Sequence, residues 1–144
     1  MKFLIINGPN LNMLGKRESG HYGSFSLEEI KTYTNQNCPS EVSLDWWQSN
    51  SEEKIIEKIH ELEQSDYQAL IINPAAFSHT SIAIMDALRI IKIPIIEVHL
   101  SNVHSREEFR QTLLTAKAAS IIMGGLKKDA YLFGVNAALS LLKG

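Results

Sequence analysis

Short apolar runs alternate with amphipathic stretches along the whole of this chain. Phe3-Leu4-Ile5-Ile6-Asn7 reads as a first strand, and Ser26 to about Asn37 as a first helix. Ser26 with Glu29 three residues on forms a capping box for that helix. Val42, Leu44 and Trp46 alternate, which predicts a second strand over about Val42–Gln48. Ile55, Ile56, Ile59 and Leu62 recur at helical spacing, so Ser51–Gln64 reads as a helix capped by Ser51. Further strands are predicted over Ala69–Asn73, Pro94–His99 and about Ala119–Gly124. Helices are predicted from near Ser81 to near Ile91, over Arg106–Thr112 and over Asp129–Leu142. The runs Ile71-Ile72, Ile95-Ile96 and Ile121-Ile122 lack any polar alternation. Strands of that kind are buried on both faces, as in a parallel sheet covered by helices. Alternating strands and helices give an open doubly wound α/β fold. Five strands predict the flavodoxin-like order 2-1-3-4-5. The 144 residues are read as a single catalytic domain, 1–144.

In such sheets ligands bind beyond the carboxyl ends of the strands, and the polar residues of this chain collect there. The first strand runs into Asn7-Gly8-Pro9-Asn10; the third ends at Asn73-Pro74 with His79-Thr80-Ser81 beyond; the fourth ends at His99, Ser101 and Asn102. Each has a purely structural alternative. Asn73 before Pro74 can end a strand by turn chemistry, and His79 can belong to a helix start. His99 carries the stronger case, because Glu97 lies two residues back and so on the same face of the strand. About 19 residues, Asn7 to Phe25, separate the first strand from its helix, where about 2–6 are usual. A segment that long is a functional lid or is disordered, and this one carries Arg17 and Tyr22. A phenol, with a pKa near ~10, is a poor base at neutral pH, but a nearby guanidinium favours its ionised form. A histidine across the site can then protonate a leaving group. Asn10, Asn73, Ser101 and Arg110 could hold hydroxyls and a carboxylate, with Arg110 suited to a carboxylate fork.

Composition narrows the chemistry. Hydrophobic residues make up 44% and charged residues 21%, and the formal net charge is −2 with no long run of one sign. Nucleic acid and anionic membrane surfaces are poor partners for such a chain. The one cysteine, Cys38, cannot form an intrachain disulfide, and no leader or spanning segment is read at the start, so the cytoplasm is expected. No HExxH or CxxC occurs, so no metal is expected. No GxGxxG follows the first strand and no GxxxxGK[ST] occurs, so a nucleotide cofactor is not expected either. Acid–base chemistry on a polar small molecule is what remains.

Several stretches together resemble the type II 3-dehydroquinate dehydratases: Asn7-Gly8-Pro9-Asn10-Leu11-Asn12, Leu14-Gly15-Lys16-Arg17-Glu18, Tyr22-Gly23, Gln48-Ser49-Asn50, Asn73-Pro74-Ala75-Ala76-Phe77-Ser78-His79-Thr80-Ser81, and the run from Glu97 to Arg110. They span essentially the whole chain in order. The resemblance implies a flavodoxin-like fold and the dehydration of 3-dehydroquinate to 3-dehydroshikimate, without a metal, a cofactor or a Schiff base. It implies that Tyr22 takes the C2 proton, that Arg17 keeps Tyr22 ionised, and that an enolate is held by a water near Asn10. His99, oriented by Glu97, would protonate the departing C1 hydroxyl. Asn73, His79, Leu100, Ser101 and Arg110 would bind substrate, and Asp86 would reach the site of a neighbouring subunit. Trimers, four to a dodecamer, are the implied assembly.

The chain departs from that pattern at Met85, where arginine is usual, and at Ala75, where glycine is common. It also departs at Trp46-Trp47 and at Asp129-Ala130-Tyr131. None of these touches the expected acid, base or arginine. Two other readings of the same fold are a non-catalytic small-molecule binding module and a flavin-binding electron carrier.

Overall fold

Five strands lie parallel in one sheet: β1 (Lys2–Asn7), β2 (Ser43–Gln48), β3 (Ala69–Asn73), β4 (Ile95–His99) and β5 (Ile121–Gly124). Their order is β2-β1-β3-β4-β5, the doubly wound arrangement expected from the pattern. The structure is a computed structural model that describes residues 1–16 and 19–144, Ser19 in its backbone only. The helices are α1 (Ser19–Tyr22), α2 (Leu27–Asn37), α3 (Glu52–His60), α4 (Phe77–Thr80), α5 (Ile82–Ile90) and α6 (Ala130–Lys143).

The unbroken apolar runs of β1, β3 and β4 explain the two-sided burial there, whereas the expectation fails for Ile121-Ile122, since β5 is an edge strand and Ile122 is 44% exposed. Phe3, Ile5, Ile71, Ile96 and Val98 point to one face and pack with Ile30 of α2 and with Tyr131, Val135 and Ala138 of α6. Leu4, Ile6, Leu70, Ile72 and Ile95 point to the other and pack with Ile55 and Ile59 of α3 and Ile84 and Leu88 of α5. All of these are essentially removed from water. Each such side chain is worth roughly 1.5–3 kcal/mol of transfer free energy, so the three central strands anchor whatever stands at their ends.

The caps read from the sequence form. Ser26 Oγ accepts from the Glu29 N–H at 3.2 Å, and the Ser26 N–H donates to Glu29 Oε2 at 2.7 Å. Ser51 accepts from the Lys54 N–H at 3.3 Å. A third cap was not read as such: Ser81, rather than His79, caps α5 by accepting from the Ile84 N–H at 2.9 Å, and its hydroxyl donates to Glu52 of α3.

Three expectations are corrected. The helix over Ser51–Gln64 is α-helical only to His60 and tightens to a 3₁₀ turn over Glu61–Gln64. The stretch from Asn7 to Phe25 is not a bare loop, for it holds a 3₁₀ turn at Leu11–Met13 and the single turn of α1. No α-helix covers Arg106–Thr112; 3₁₀ turns stand at Val103–Ser105 and Glu108–Arg110. There the Gln111 side-chain amide donates to the carbonyls of Val103, at 3.0 Å, and Arg106, at 3.3 Å. A helix over 106–112 would have paired the Arg106 carbonyl with the Arg110 N–H, which instead donates to the Glu107 carbonyl at 2.9 Å. Among the described residues no helix is long and apolar enough to cross a membrane.

Candidate active site

The register of β1 and β3 sets Asn7 beside Asn73 at the carboxyl edge of the sheet. Both side chains are buried, and a third polar group joins them from the far end of the chain. The Tyr131 hydroxyl of α6 donates to Asn7 Oδ1 and accepts from Asn73 Nδ2 at 3.1 Å. Burial pushes the Tyr131 phenol well above its usual range, so it stays a neutral donor. Asn73 Oδ1 meanwhile accepts from the Ala75 N–H at 3.1 Å, a side-chain turn that steers the chain away from β3. Gly8 crosses close to this turn, and a Cβ there would stand 2.3 Å from the Pro74 carbonyl oxygen. Only glycine allows that approach.

Above this floor lies a cleft with an empty volume of about 640 Å³ counted to its open mouth. Asn10, Tyr22, Asn73, His79, His99, Leu100, Ser101, Arg106 and Arg110 all line it. Its lining of amides, imidazoles, a phenol and guanidiniums suits a small polar molecule. Eight of the expected site residues with described positions, Tyr22 among them, therefore line one cleft.

β4 supplies the histidine. His99 and Glu97 share a strand face, and His99 Nε2 lies 2.8 Å from Glu97 Oε1. Glu97 is fully buried and His99 nearly so. A carboxylate can only accept, so Nε2 carries the proton in this pair and Nδ1 is the nitrogen left for the cleft. The second Glu97 oxygen is buried with no hydrogen-bond partner among the described residues.

α4 supplies His79, which is half-buried. Its Nδ1 lies 2.9 Å from the Thr112 carbonyl, so Nδ1 donates and Nε2 is an acceptor. Burial lowers the pKa of His79, with the charges of His99 and Arg110 adding to the effect against the opposing Thr112 bond. It is thus a neutral imidazole at neutral pH.

The Tyr22 phenol reaches the cleft from α1 and is buried. Arg106 Nη1 donates to its hydroxyl at 2.6 Å, and the guanidinium carbon lies 5.1 Å from the ring centroid. Sequence reasoning expected Arg17 in this role; Arg17 lies outside the described residues. Arg106 was assigned no role from sequence. It stands 84 residues from Tyr22, and no local spacing connects them. Arg106 Nε is buried and has no hydrogen-bond partner among the described residues, with Glu107 Oε2 at 3.6 Å. Arg110 Nε donates to Glu107 at 2.8 Å, and the Arg110 guanidinium holds Glu107 below the ordinary carboxylate range alongside the stronger pull of Glu107's own backbone N–H.

Asn10 sits at φ 68°, and its N–H donates to Asn50 Oδ1 at 3.0 Å. Leu100 and Ser101 are buried beside His99. Their carbonyls accept from the Lys127 and Gly125 N–H groups at 2.9 and 3.0 Å. Asp86 does not line the cleft of its own chain; it is exposed on α5, between the exposed Ile82 and Ile90. Among the described residues no three His, Cys, Asp or Glu side chains are grouped as a metal would need.

The model of the family "Dehydroquinase class II" matches residues 1–139 of this chain. A 3-dehydroquinate dehydratase of Clostridium botulinum (strain Hall) is 48% identical over 140 residues, covering 96% of this chain and 95% of that one. One of Shewanella denitrificans is 50% identical over 143 residues, covering 99% and 93%. A crystal structure of a type II dehydroquinase from Butyrivibrio crossotus superposes with a TM-score of 0.93 at 40% identity, covering 96% of this chain and 97% of that one.

Proposed function

We infer the activity from the family: the chain belongs to the class II dehydroquinases, and it removes water from 3-dehydroquinate to give 3-dehydroshikimate in the shikimate pathway. It is a hydro-lyase. One observation carries the reading at the level of chemistry. A phenol paired with a guanidinium, Tyr22 with Arg106, and an imidazole paired with a buried carboxylate, His99 with Glu97, line the same small polar cleft.

The elimination needs a base at C2 and an acid at the C1 hydroxyl. Tyr22 as phenolate takes the C2 proton, with the Arg106 guanidinium as its counter-charge and Arg17 as a second. An enolate forms at the C3 carbonyl and is stabilised by a water held near Asn10 and the turn after β1. His99 then gives its Nδ1 proton to the departing C1 hydroxyl, and the positive charge it carries before that transfer is balanced by Glu97 across the Nε2 bond. The proton and the hydroxyl leave from opposite faces, an anti elimination. His79, neutral and accepting at Nε2, takes a hydrogen bond from a substrate hydroxyl. Asn73 presents the amide hydrogen that Tyr131 does not use. The backbone at Leu100 and Ser101 and the Nη edge of Arg110 hold the carboxylate, since Glu107 occupies the Nε edge.

We further place the chain in the cytoplasm as one catalytic domain over 1–144, working as a homododecamer of four trimers. The exposed Ile82 and Ile90 around Asp86 support a subunit contact there, one that carries Asp86 to the cleft of a neighbouring copy. Incubation with 3-dehydroquinate and EDTA, followed in the ultraviolet, tests the activity. The conjugated enone should rise with wild type, and Tyr22→Phe should abolish the rise while leaving the circular dichroism spectrum unchanged. Folded wild-type protein that gives no absorbance change refutes the assignment.

A further inference from the structure

One exposed glutamine has both amide hydrogens and its amide oxygen engaged by the chain itself. Gln111 Nε2 donates to the Val103 carbonyl at 3.0 Å and to the Arg106 carbonyl at 3.3 Å, and Gln111 Oε1 lies 3.0 Å from His104 Nδ1. Carbonyls only accept, so the amide nitrogen must face them. The amide oxygen is then the acceptor of the third bond, and His104 Nδ1 carries its proton. A glutamine at the surface can instead be solvated and keep its rotamer freedom. Here that freedom is given up for three bonds onto one short turn.

The turn they grip is a wall of the cleft. It carries Val103 and Arg106, which line the cleft, and Arg106 Nη1 is the donor to the Tyr22 hydroxyl. Its own backbone bonds are short in range: the Ser105 N–H donates to the Asn102 carbonyl at 3.1 Å and the Arg106 N–H to the Val103 carbonyl at 3.2 Å. A second cleft is lined by Asn102, Val103, His104, Leu113, Ile122 and Met123. Val103 borders both clefts, and among the described residues it joins neither apolar core. Ties from outside the turn therefore matter for where it stands. The segment that supplies them is anchored on another wall of the cleft. The Thr112 carbonyl accepts from His79 Nδ1 at 2.9 Å, and the Leu114 N–H donates to the Ser78 carbonyl at 2.7 Å. Residues 111–114 thus grip α4 with their backbone and the Val103–Arg106 turn with the Gln111 side chain.

We propose that Gln111 is a positioning residue: its side-chain amide clasps the Val103–Arg106 turn and so sets the Arg106 guanidinium on the Tyr22 phenol. The kinetic consequence rests on the dehydratase reading; the clasp itself does not. Gln111 does not line the cleft, so its effect must pass through Arg106.

A double-mutant cycle with Arg106 tests this. Gln111→Leu keeps the bulk of the side chain and removes all three bonds. With an unchanged circular dichroism spectrum, it should lower kcat about tenfold and leave KM within about twofold, since Arg110 is held separately by Glu107. Gln111→Glu keeps the shape and the acceptor for His104 but loses both donated hydrogens, and at neutral pH it should lose at least as much. In an Arg106→Gln background, Gln111→Leu should change kcat by less than about twofold, because the group it positions is already gone. A general loosening of the protein would instead cost the same in both backgrounds, and that result overturns the proposal. Wild-type kcat in Gln111→Leu or Gln111→Glu overturns it too, as does a loss carried by KM. The Tyr22 Cζ resonance of 13C-tyrosine-labelled protein reads the clasp without substrate: Gln111→Leu should move it in the same direction as Arg106→Gln, and the double variant no further than Arg106→Gln alone. If the wild type does not dehydrate 3-dehydroquinate, the function is refuted and the resonance alone decides, an unmoved signal in Gln111→Leu overturning the clasp.

Discussion

Replacing Tyr131 with phenylalanine removes one oxygen from beneath the cleft and keeps the ring. The ring is fully buried and packs against Trp46 at a centroid distance of 5.2 Å, so its burial and stacking are retained. What is lost is the hydroxyl that bridges Asn7 Oδ1 and Asn73 Nδ2. Both asparagines are buried, and neither can turn its amide to water without moving a strand end. A buried polar group left unpaired costs about 1–3 kcal/mol. Two such groups, eased on the Asn73 side by its other hydrogen facing the cleft, give a loss of about 2–4 kcal/mol. For a chain of this length that lowers the melting temperature by roughly 5–15 °C. Urea unfolding at one fixed protomer concentration measures it, since assembly makes stability concentration-dependent. The pH dependence supplies a second reading. Burial raises the Tyr131 pKa in the folded state, so its contribution is whole below the unfolded value near ~10 and is lost as pH rises above it. Wild type should therefore lose stability above about pH 10 by a component that Tyr131→Phe lacks. A variant within about 0.5 kcal/mol of wild type, with the same alkaline slope, would refute the idea that this hydroxyl satisfies the asparagine pair.

Three further outcomes are expected. Arg106→Gln removes a charge-assisted bond to Tyr22 worth about 1.5–3 kcal/mol, so kcat/KM should fall by roughly one to two decades, and an unchanged value in steady-state assays would show that Arg106 is not the phenolate's counter-charge. His79 is held neutral by burial, so its share of stability is present above the unfolded pKa of about 6.5 and is lost as pH falls below it; thermal melts from pH 8 to 5 should show a slope that His79→Gln lacks, and identical slopes would contradict this. Ala75 sits at φ 53°; Ala75→Gly relieves about 1–2 kcal/mol of left-handed strain against about 0.5–1 kcal/mol of glycine entropy, for a net gain of roughly 0.5–1 kcal/mol in urea, and a destabilised variant would mean that the Ala75 methyl group packs usefully.

The histidine and carboxylate of β4 were readable from sequence because a strand puts residues two apart on one face, whatever the rest of the fold does. The strand-end asparagines were readable because a parallel sheet brings its carboxyl ends to one edge. Arg106 was not. It was expected within a helix over 106–112, but the Arg110 N–H closes a 3₁₀ turn onto Glu107 and the Gln111 side chain meets the Arg106 carbonyl instead. The arginine side chain is then buried against Tyr22. Tyr131 was noted only as a departure in the turn before the last helix. Nothing local marks it, since its partners are 124 and 58 residues away.

Period and composition therefore determined the five strands, the main helices after β1, β2, β3 and β5, the Ser26 and Ser51 caps and the sheet order, but not the 3₁₀ turns after β4. These follow from hydrophobic spacing and from backbone groups satisfied within a few residues. They also determined which edge of the sheet would carry polar chemistry. The tertiary structure alone decided which cation meets the Tyr22 phenol among the described residues, how Asn73 is oriented, and that a turn after β5 holds the Leu100–Ser101 peptide. Those are contacts between side chains far apart in sequence. Their geometry depends on how deeply each element is buried against the others, and no periodicity along the chain records that.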